Sequence, residues 1–418
     1  MEKSRPVYFL KENPPDWKRS SLRGLRTVAE ELFVEGSRLR EDLAQLNWSQ
    51  RDEYLNALAL SRQAERWERE VGIKPDASAF TLLVPIHNEE NSLPSFLHTL
   101  MLSDIPASVG VQIVFFTNAC TDRSTELIRA FMAQLGEVEC QELSDDFGDQ
   151  CMDRHSAVVR RGRHVYRHIN TATPGKAHAL NVGNHIALRS GHLIAMSLDA
   201  NNFIEPDALC KMFSTAYRVF REKLERNDVV LFSAVGHESL KDSRVKGLLR
   251  KIGRARNHLV EVGEGVVNGW MLAWNTTWMD DIGGPPEVAL EDYALGVLAR
   301  VKGFRIAQAA AVNVWGYVNN DFKGLFMTRA RYVRGKLQIL EYTQREPAIL
   351  AIIEKEAFYM KKFISRLKYV CASAVTRPLH SGRYIATFLL WEYAIWRGTR
   401  DYKRDPKNQS WEKIASTY

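Results

Sequence analysis

No apolar run in this 418-residue sequence is long enough to cross a bilayer as a helix. The nearest approach, Tyr384–Trp396 (YIATFLLWEYAIW), is too short and carries Glu392. The first twenty residues, MEKSRPVYFLKENPPDWKRS, contain no continuous apolar stretch, which argues against a secretory signal. Cysteine is scarce. The five thiols, Cys120, Cys140, Cys151, Cys210 and Cys371, are odd in number and scattered, which argues against a disulfide framework, and no C-x-x-C pair points to zinc. A reducing cytoplasm is therefore the expected location, with peripheral attachment to the inner face of a membrane left open. There is no internal repeat and no low-complexity tract. The basic residues are not gathered with a known readout motif, so no nucleic-acid partner is expected.

What remains is the composition of an ordinary globular protein, 45% hydrophobic and 26% charged, in a chain long enough for one large domain plus an appendage. Lys and Arg number 57 against 50 Asp and Glu, a formal net charge of +7. The basic residues are denser at Arg154–Arg167 and Arg397–Arg404. An excess of this sign suits an anionic ligand, an anionic membrane surface or nucleic acid, and does not by itself choose among them.

Residues 21–72 repeat apolar side chains at three and four, including Leu22, Leu25, Leu32, Tyr54 and Leu58, which predicts an N-terminal helical extension. At Phe80 the pattern changes. Phe80–Ile86 (FTLLVPI) and Val111–Phe116 (VQIVFF) read as buried strands, each closed by a polar loop and followed by helical spacing over 93–102 and 125–135. This alternation predicts βαβ units and a parallel sheet. Further strands are expected at 165–169, 193–198, 229–235, 266–274 and 304–315, with a helix after Thr173–Gly183 and another from Glu205 to about residue 224. Residues 141–163, acidic then basic, read as a long loop, and the chain beyond Lys323 reads as mostly helical. The central run Leu193–Leu198 ends at Asp199-Ala200-Asn201-Asn202. In open α/β sheets the carboxyl ends of parallel strands are where ligands sit.

Six segments occur in one order: VPIHNEE, FFTNACTDRSTE, TPGKAHALNVG, SLDANNFIEP, DIGGPPEVALEDYALGVLARVKGFRI and TRARYVRG. Together, over Phe80 to Lys336, they resemble glycosyltransferase family 2, the inverting enzymes of the GT-A fold. The resemblance implies an α/β fold, Rossmann-like, with a mostly parallel central sheet flanked by helices. The expected division is 1–78 N-terminal extension, 79–322 transferase domain and 323–418 C-terminal helical region.

It also implies roles. Pro85, His87 and Glu89, at and beyond the first strand end, fall in the donor-binding stretch; a carboxylate there can accept bonds from ribose or base. Helix capping is the structural alternative for Glu89. The family commonly carries an acid after the second strand, where this chain has Thr117-Asn118; Asn118 can still meet a base edge, since an amide both donates and accepts. Asp122 reads as a turn or cap residue. Lys176, behind Gly175, offers a cation to phosphates or nearby carboxylates, and Asn181 can bridge loop to ligand. The family's D-x-D is Asp199-Ala200-Asn201 here, so Asp199 and Asn201 are the expected ligands for Mn2+ or Mg2+, with one charged oxygen donor exchanged for a neutral one. The acid pair Glu291-Asp292 opens a helix; Asp292 is the expected base and Glu291 its orienting or acceptor-binding neighbour. Gly284 lies in the preceding loop, on the acceptor side. The family's Q-x-x-R-W is Thr328…Arg331-Tyr332 here; Arg331 is expected on the donor diphosphate and Tyr332 against an acceptor sugar.

The function so implied is inverting transfer of a sugar from a UDP- or other nucleotide-sugar to a hydroxyl of a glycan, lipid-linked or small-molecule acceptor. A non-catalytic nucleotide-sugar or glycan-binding module and a nucleotidyltransferase are the alternatives. Tyr384–Trp396, followed by Arg397, Arg400, Lys403 and Arg404, sets aromatics beside cations, a pattern that suits either peripheral membrane contact or packing on the main domain.

Overall fold

A computed structural model describes residues 79–103, 109–142, 155–161, 163–222, 229–239, 267, 269–317, 322–356, 367–368, 371 and 381–406. The expected N-terminal extension lies outside these residues, as does Cys151. The chain divides into two compact units, one of Met1–Glu238, Asn268–Gly284 and Ala307–Gly316, the other of Ser239–Val267, Pro285–Ile306 and Tyr317–Tyr418.

The first unit is built on a ten-stranded sheet in the order β3-β4-β5-β2-β1-β6-β9-β8-β10-β7. Its strands are β1 (Ala79–Ile86), β2 (Gly110–Asn118), β3 (Glu139–Glu142), β4 (His155–Arg161), β5 (His164–Thr171), β6 (Ile194–Leu198), β7 (Asn202–Ile204), β8 (Val229–Ser239), β9 (Met271–Asn275) and β10 (Arg305–Tyr317). The centre is parallel: β1 pairs with β2 (Phe80 opposite Val111), β1 with β6 (Phe80 opposite Ile194) and β2 with β5 (Phe116 opposite Ile169). On either side the pairings turn antiparallel, β4 with β5 and β3 with β4 at one edge, β6 with β9, β9 with β8 and β10 with β7 towards the other.

The central strands lack apolar–polar alternation because both faces are covered. All five residues of β6 are buried. The helices that cover them are α1 (Leu93–Met101), α2 (Ser124–Leu135), α3 (Lys176–Arg189), α4 (Ala208–Glu222) and the short α5 (Thr276–Asp281). α1 turns Leu93, Phe96, Leu97 and Leu100 inward at helical spacing. α4 stacks Phe213 on Phe80, with ring centroids 5.0 Å apart. α3 lies close on β1 because Gly183 has no side chain; a Cβ there would stand 2.3 Å from a Leu83 methyl.

The expected loop at 141–163 is corrected. Glu139–Glu142 and His155–Arg161 are strands in antiparallel register, Gln141 facing Ser156 and Ala157 facing His168. Arg167, inside this ladder, donates to Ser156 Oγ at 2.6 Å and to Gln141 Oε1 at 3.1 Å. β4 lies between β3 and β5 with Ser156, Val158 and Val159 buried; the acidic and basic residues of 141–163 hid a strand whose burial comes from its long-range pairing. The strand expected at 266–274 is shorter, beginning at Met271, and α5 and β7 were not expected at all.

The second unit contains α6 (Glu291–Val301), α7 (Phe322–Tyr342), α8 (Pro347–Glu356) and α9 (Ser381–Arg404). Its core joins Val288, Leu290, Tyr293, Ala294 and Val297 to Ile339, Leu340, Ile349 and Ile353. α9 crosses α7 closely at Gly398, where a Cβ would fall 2.4 Å from the Ala330 carbonyl oxygen. Among the described residues no helix is long and apolar enough to cross a membrane.

Candidate functional site

Three parallel strands, β1, β2 and β6, deliver their carboxyl ends to the same edge of the sheet, and the donor-side residues follow them. β6 runs out at Leu198 and the chain turns at once. The Asn202 N–H donates to the Asp199 carbonyl at 3.0 Å, the span of a four-residue turn. The turn is tied down from β9's approach: the Asp199 N–H and the Asn202 amide both donate to the Trp270 carbonyl, each at 3.1 Å.

Lys176 is the first residue of α3. Its ammonium lies 2.6 Å from Asp199 Oδ1 and donates to the Gly269 carbonyl at 3.0 Å. The side chains are 8% and 18% exposed, so water screens this pair little. The cation and the acid of two separate sequence segments are thus one structural unit. Asn201, next but one on the turn, is half-buried.

At the ends of β1 and β2 the expected residues serve each other. Pro85 is in β1, in register with Phe116. The His87 ring donates through Nδ1 to the Asn118 carbonyl at 2.6 Å. Asn118 is buried; its Oδ1 accepts from the Thr171 hydroxyl at 3.1 Å and its Nδ2 reaches the Gly175 carbonyl at 3.5 Å. The amide at the expected base-binding position thereby holds the loop that presents Lys176. Glu89 is also buried: its N–H donates to Ser124 Oγ at 2.7 Å and its carboxylate accepts from the Ser92 hydroxyl. Asp122, expected as a turn or cap residue, makes a turn just before α2, whose N-cap is Arg123, and accepts from the N–H groups of Ser124 and Glu90, both at 3.0 Å.

Asn181 and Gly284 are brought together. Gly284 has φ +78°, and a Cβ on it would stand 1.5 Å from Asn181 Oδ1. The positive φ and this close approach both favour glycine here.

In the second unit, Glu291 and Asp292 open α6 but differ in setting. Glu291 is 3% exposed, whereas Asp292 is only half-buried, with Oδ1 accepting from the Tyr293 N–H at 2.8 Å. On α7 the Arg331 guanidinium lies 5.7 Å from the Tyr332 ring centre, and that of Arg329 lies 5.5 Å from it and 5.0 Å from Trp391. Two guanidiniums therefore lie within cation–π range of Tyr332.

Sequence reading missed several of these partners. The Gly269 and Trp270 carbonyls hold Lys176, Asp199 and Asn202, yet a backbone carbonyl carries no residue-type signature. Buried Arg329 and Lys336 were not singled out; Lys336 Nζ is 4.2 Å from the Tyr293 ring centre. A bonded trio of Thr117, His168 and Asn170 spans β2 and β5, with Thr117 Oγ1 2.9 Å from each partner. Among the described residues no three His, Cys, Asp or Glu side chains are grouped to hold a metal.

No family model matches the chain, and no curated protein matches it. Among solved structures it is similar to the mannosyltransferase PcManGT from Pyrobaculum calidifontis in complex with GDP-Man and Mn2+, at 17% identity and a TM-score of 0.49, over 92% of this chain and 100% of that one. It is also similar to S. aureus TarS 1-349, at 12% identity and a TM-score of 0.35, and to the same protein in complex with UDP-GlcNAc, at 14% and 0.38, each over 81% of this chain and 95% of that one. At these identities and TM-scores the likenesses assign neither a family nor an activity to this chain.

Proposed function

We propose that this protein is an inverting glycosyltransferase that moves a sugar from a nucleotide-sugar donor to an acceptor hydroxyl. The observation that carries the reading is the Lys176–Asp199 pair at the carboxyl end of the parallel strands. A buried cation fixed by a carboxylate and a backbone carbonyl is an element suited to a diphosphate, whose charge grows as it leaves.

In this mechanism the acceptor oxygen attacks the anomeric carbon from the face opposite the diphosphate. The bond from that carbon to the diphosphate oxygen breaks, and the hydroxyl proton passes to the Asp292 carboxylate. The half-buried setting of Asp292 supports it as the base over Glu291, which is fully buried. Lys176 is suited to the leaving diphosphate, and the sequence resemblance gives Arg331 a role on the diphosphate and Tyr332 one against an acceptor sugar.

The donor chemistry at the turn suits a hard divalent cation. Asp199 supplies a carboxylate and Asn201 an amide oxygen two residues on, with waters and phosphates able to complete the shell. Such an ion, when bound, supplies further neutralisation of the diphosphate. Asp199 would then be shared between that ion and the Lys176 ammonium, which lies 2.6 Å from its Oδ1.

The test is a panel of UDP- and GDP-sugars with Mn2+, read by thermal shift and by release of nucleoside diphosphate. One donor is expected to stabilise the protein and to be turned over. Asp292→Asn should keep that stabilisation and lose transfer by roughly a hundredfold or more. Unchanged turnover in the variant rejects Asp292 as base, and no response to any donor rejects the reading.

A further inference from the structure

Seven large hydrophobic side chains stand exposed among the described residues, and four of them are on α9: Ile385 (49%), Leu389 (61%), Tyr393 (44%) and Trp396 (54%). At 3.6 residues per turn they share one face, and Arg400, Lys403 and Arg404, all exposed, continue it within an arc of about 100°. The stripe runs about 29 Å, from an apolar beginning to a basic end.

The opposite face of the helix is already in use. Phe388, Leu390, Trp391 and Ala394 are buried, Arg329 of α7 lies over Trp391, and Gly398 meets α7 at the Ala330 carbonyl. α9 is therefore held by its inner face, and its outer stripe is a preformed surface. The stripe is continuous as well as apolar: the Tyr393 ring is 5.1 Å from Phe326 and 5.8 Å from Trp396, and the Arg400 guanidinium is 5.5 Å from Trp396. No carboxylate falls within the arc; Glu392 lies at its edge, and Asp401 is paired with Arg397 at 2.9 Å on the flank.

We propose that this face of α9 docks on an anionic lipid surface, with Ile385, Leu389, Tyr393 and Trp396 at the boundary of the acyl region and Arg400, Lys403 and Arg404 on the headgroups. Amphipathic helices that lie in the interface pair aromatic and aliphatic side chains with cations in this way, and attraction to anionic lipid adds to apolar burial. A chain of net charge +7 is drawn to the same surface. A second copy of this chain would cover the apolar half, but the arc has no acids to answer the basic half. The proposal is independent of any transfer activity.

The experiment is co-sedimentation of the full chain with vesicles of phosphatidylcholine alone or with about 30% phosphatidylglycerol, enough to set a negative surface potential. The expected result is binding to the anionic vesicles that weakens at high salt, and at least roughly tenfold weaker binding to the neutral ones. L389E with W396E should lower binding to anionic vesicles by about tenfold or more while the thermal midpoint holds, and R400E with K403E should remove the preference for anionic lipid. Binding that is unchanged by L389E with W396E, or no binding by the unaltered chain, overturns the proposal. A dimer that L389E dissociates, without vesicle binding, overturns it in favour of an interface between copies.

Discussion

The Lys176 ammonium lies 2.6 Å from the Asp199 carboxylate, although 22 residues of helix and strand separate them in the chain. Two consequences follow from removing the lysine. Lys176→Met leaves a shielded carboxylate without its nearest cation, which costs stability on the order of 3 kcal/mol in urea unfolding. It also removes the competitor for that carboxylate, so Mn2+ titrated calorimetrically without nucleotide should bind more tightly to the variant than to the unaltered protein. Equal Mn2+ affinities would remove Asp199 from the list of ligands.

Gly283 and Gly284 provide a matched pair. Both have positive φ, +75° and +78°, but a Cβ on residue 283 meets nothing within 4 Å, whereas one on residue 284 collides with Asn181. Gly283→Ala should cost about 1 kcal/mol from left-handed backbone alone. Gly284→Ala should cost more, by denaturant unfolding, and should also weaken nucleotide-sugar binding if Asn181 contacts the donor. Identical stabilities in the two variants would show that Asn181 yields freely.

Glu291 and Asp292 should separate by what they disturb. Glu291 is buried at the start of α6, where a carboxylate also favours the positive end of the helix. Glu291→Gln is therefore expected to lower the melting temperature, whereas Asp292→Asn should leave it nearly unchanged and act on turnover. The reverse pattern, a loss of turnover confined to Glu291→Gln at unchanged stability, would exchange their roles.

Acid should destabilise the first unit through two histidines. Burial pushes both His98 and His192 down to about 4, and His192 Nδ1 lies 2.8 Å from the Thr81 hydroxyl. Both are neutral in the folded protein at about pH 5, while the unfolded chain, titrating near 6.5, has taken up the protons. Stability is then full above about pH 6.5 and falls as pH drops towards 4, by at most about 2 kcal/mol per histidine between pH 7.5 and 5. Glu205 works against this, since desolvation raises its carboxyl and protonation relieves the burial. Unfolding curves at the two pH values should show a smaller loss for His98→Leu than for the unaltered chain.

The parallel centre of the sheet was legible because its strands carry runs such as FTLLVPI and VQIVFF that only burial on both faces explains. Each ends in polar residues, which marked the edge where Lys176, Asn118 and Asp199 lie. The strands at 139–142 and 155–161 were not legible, because short segments carrying charge resemble a loop until their pairing partners are known. The expectation for Glu89 and Asn118 rested on residue type, and type cannot say that Ser92, Thr171 and Gly175 take up their hydrogen bonds.

Local pattern by itself determined which segments are strands and helices at the centre of the first unit, and which polar residues stand at their ends. The tertiary structure decided the rest. It brought Lys176 to Asp199 and set both against the backbone carbonyls of Gly269 and Trp270, a long-range arrangement that no residue spacing encodes. It also chose between the two faces of α9. Phe388 and Trp391 on one side, Leu389 and Trp396 on the other, are equally apolar in sequence, and only the packing of α7 determines which pair is covered.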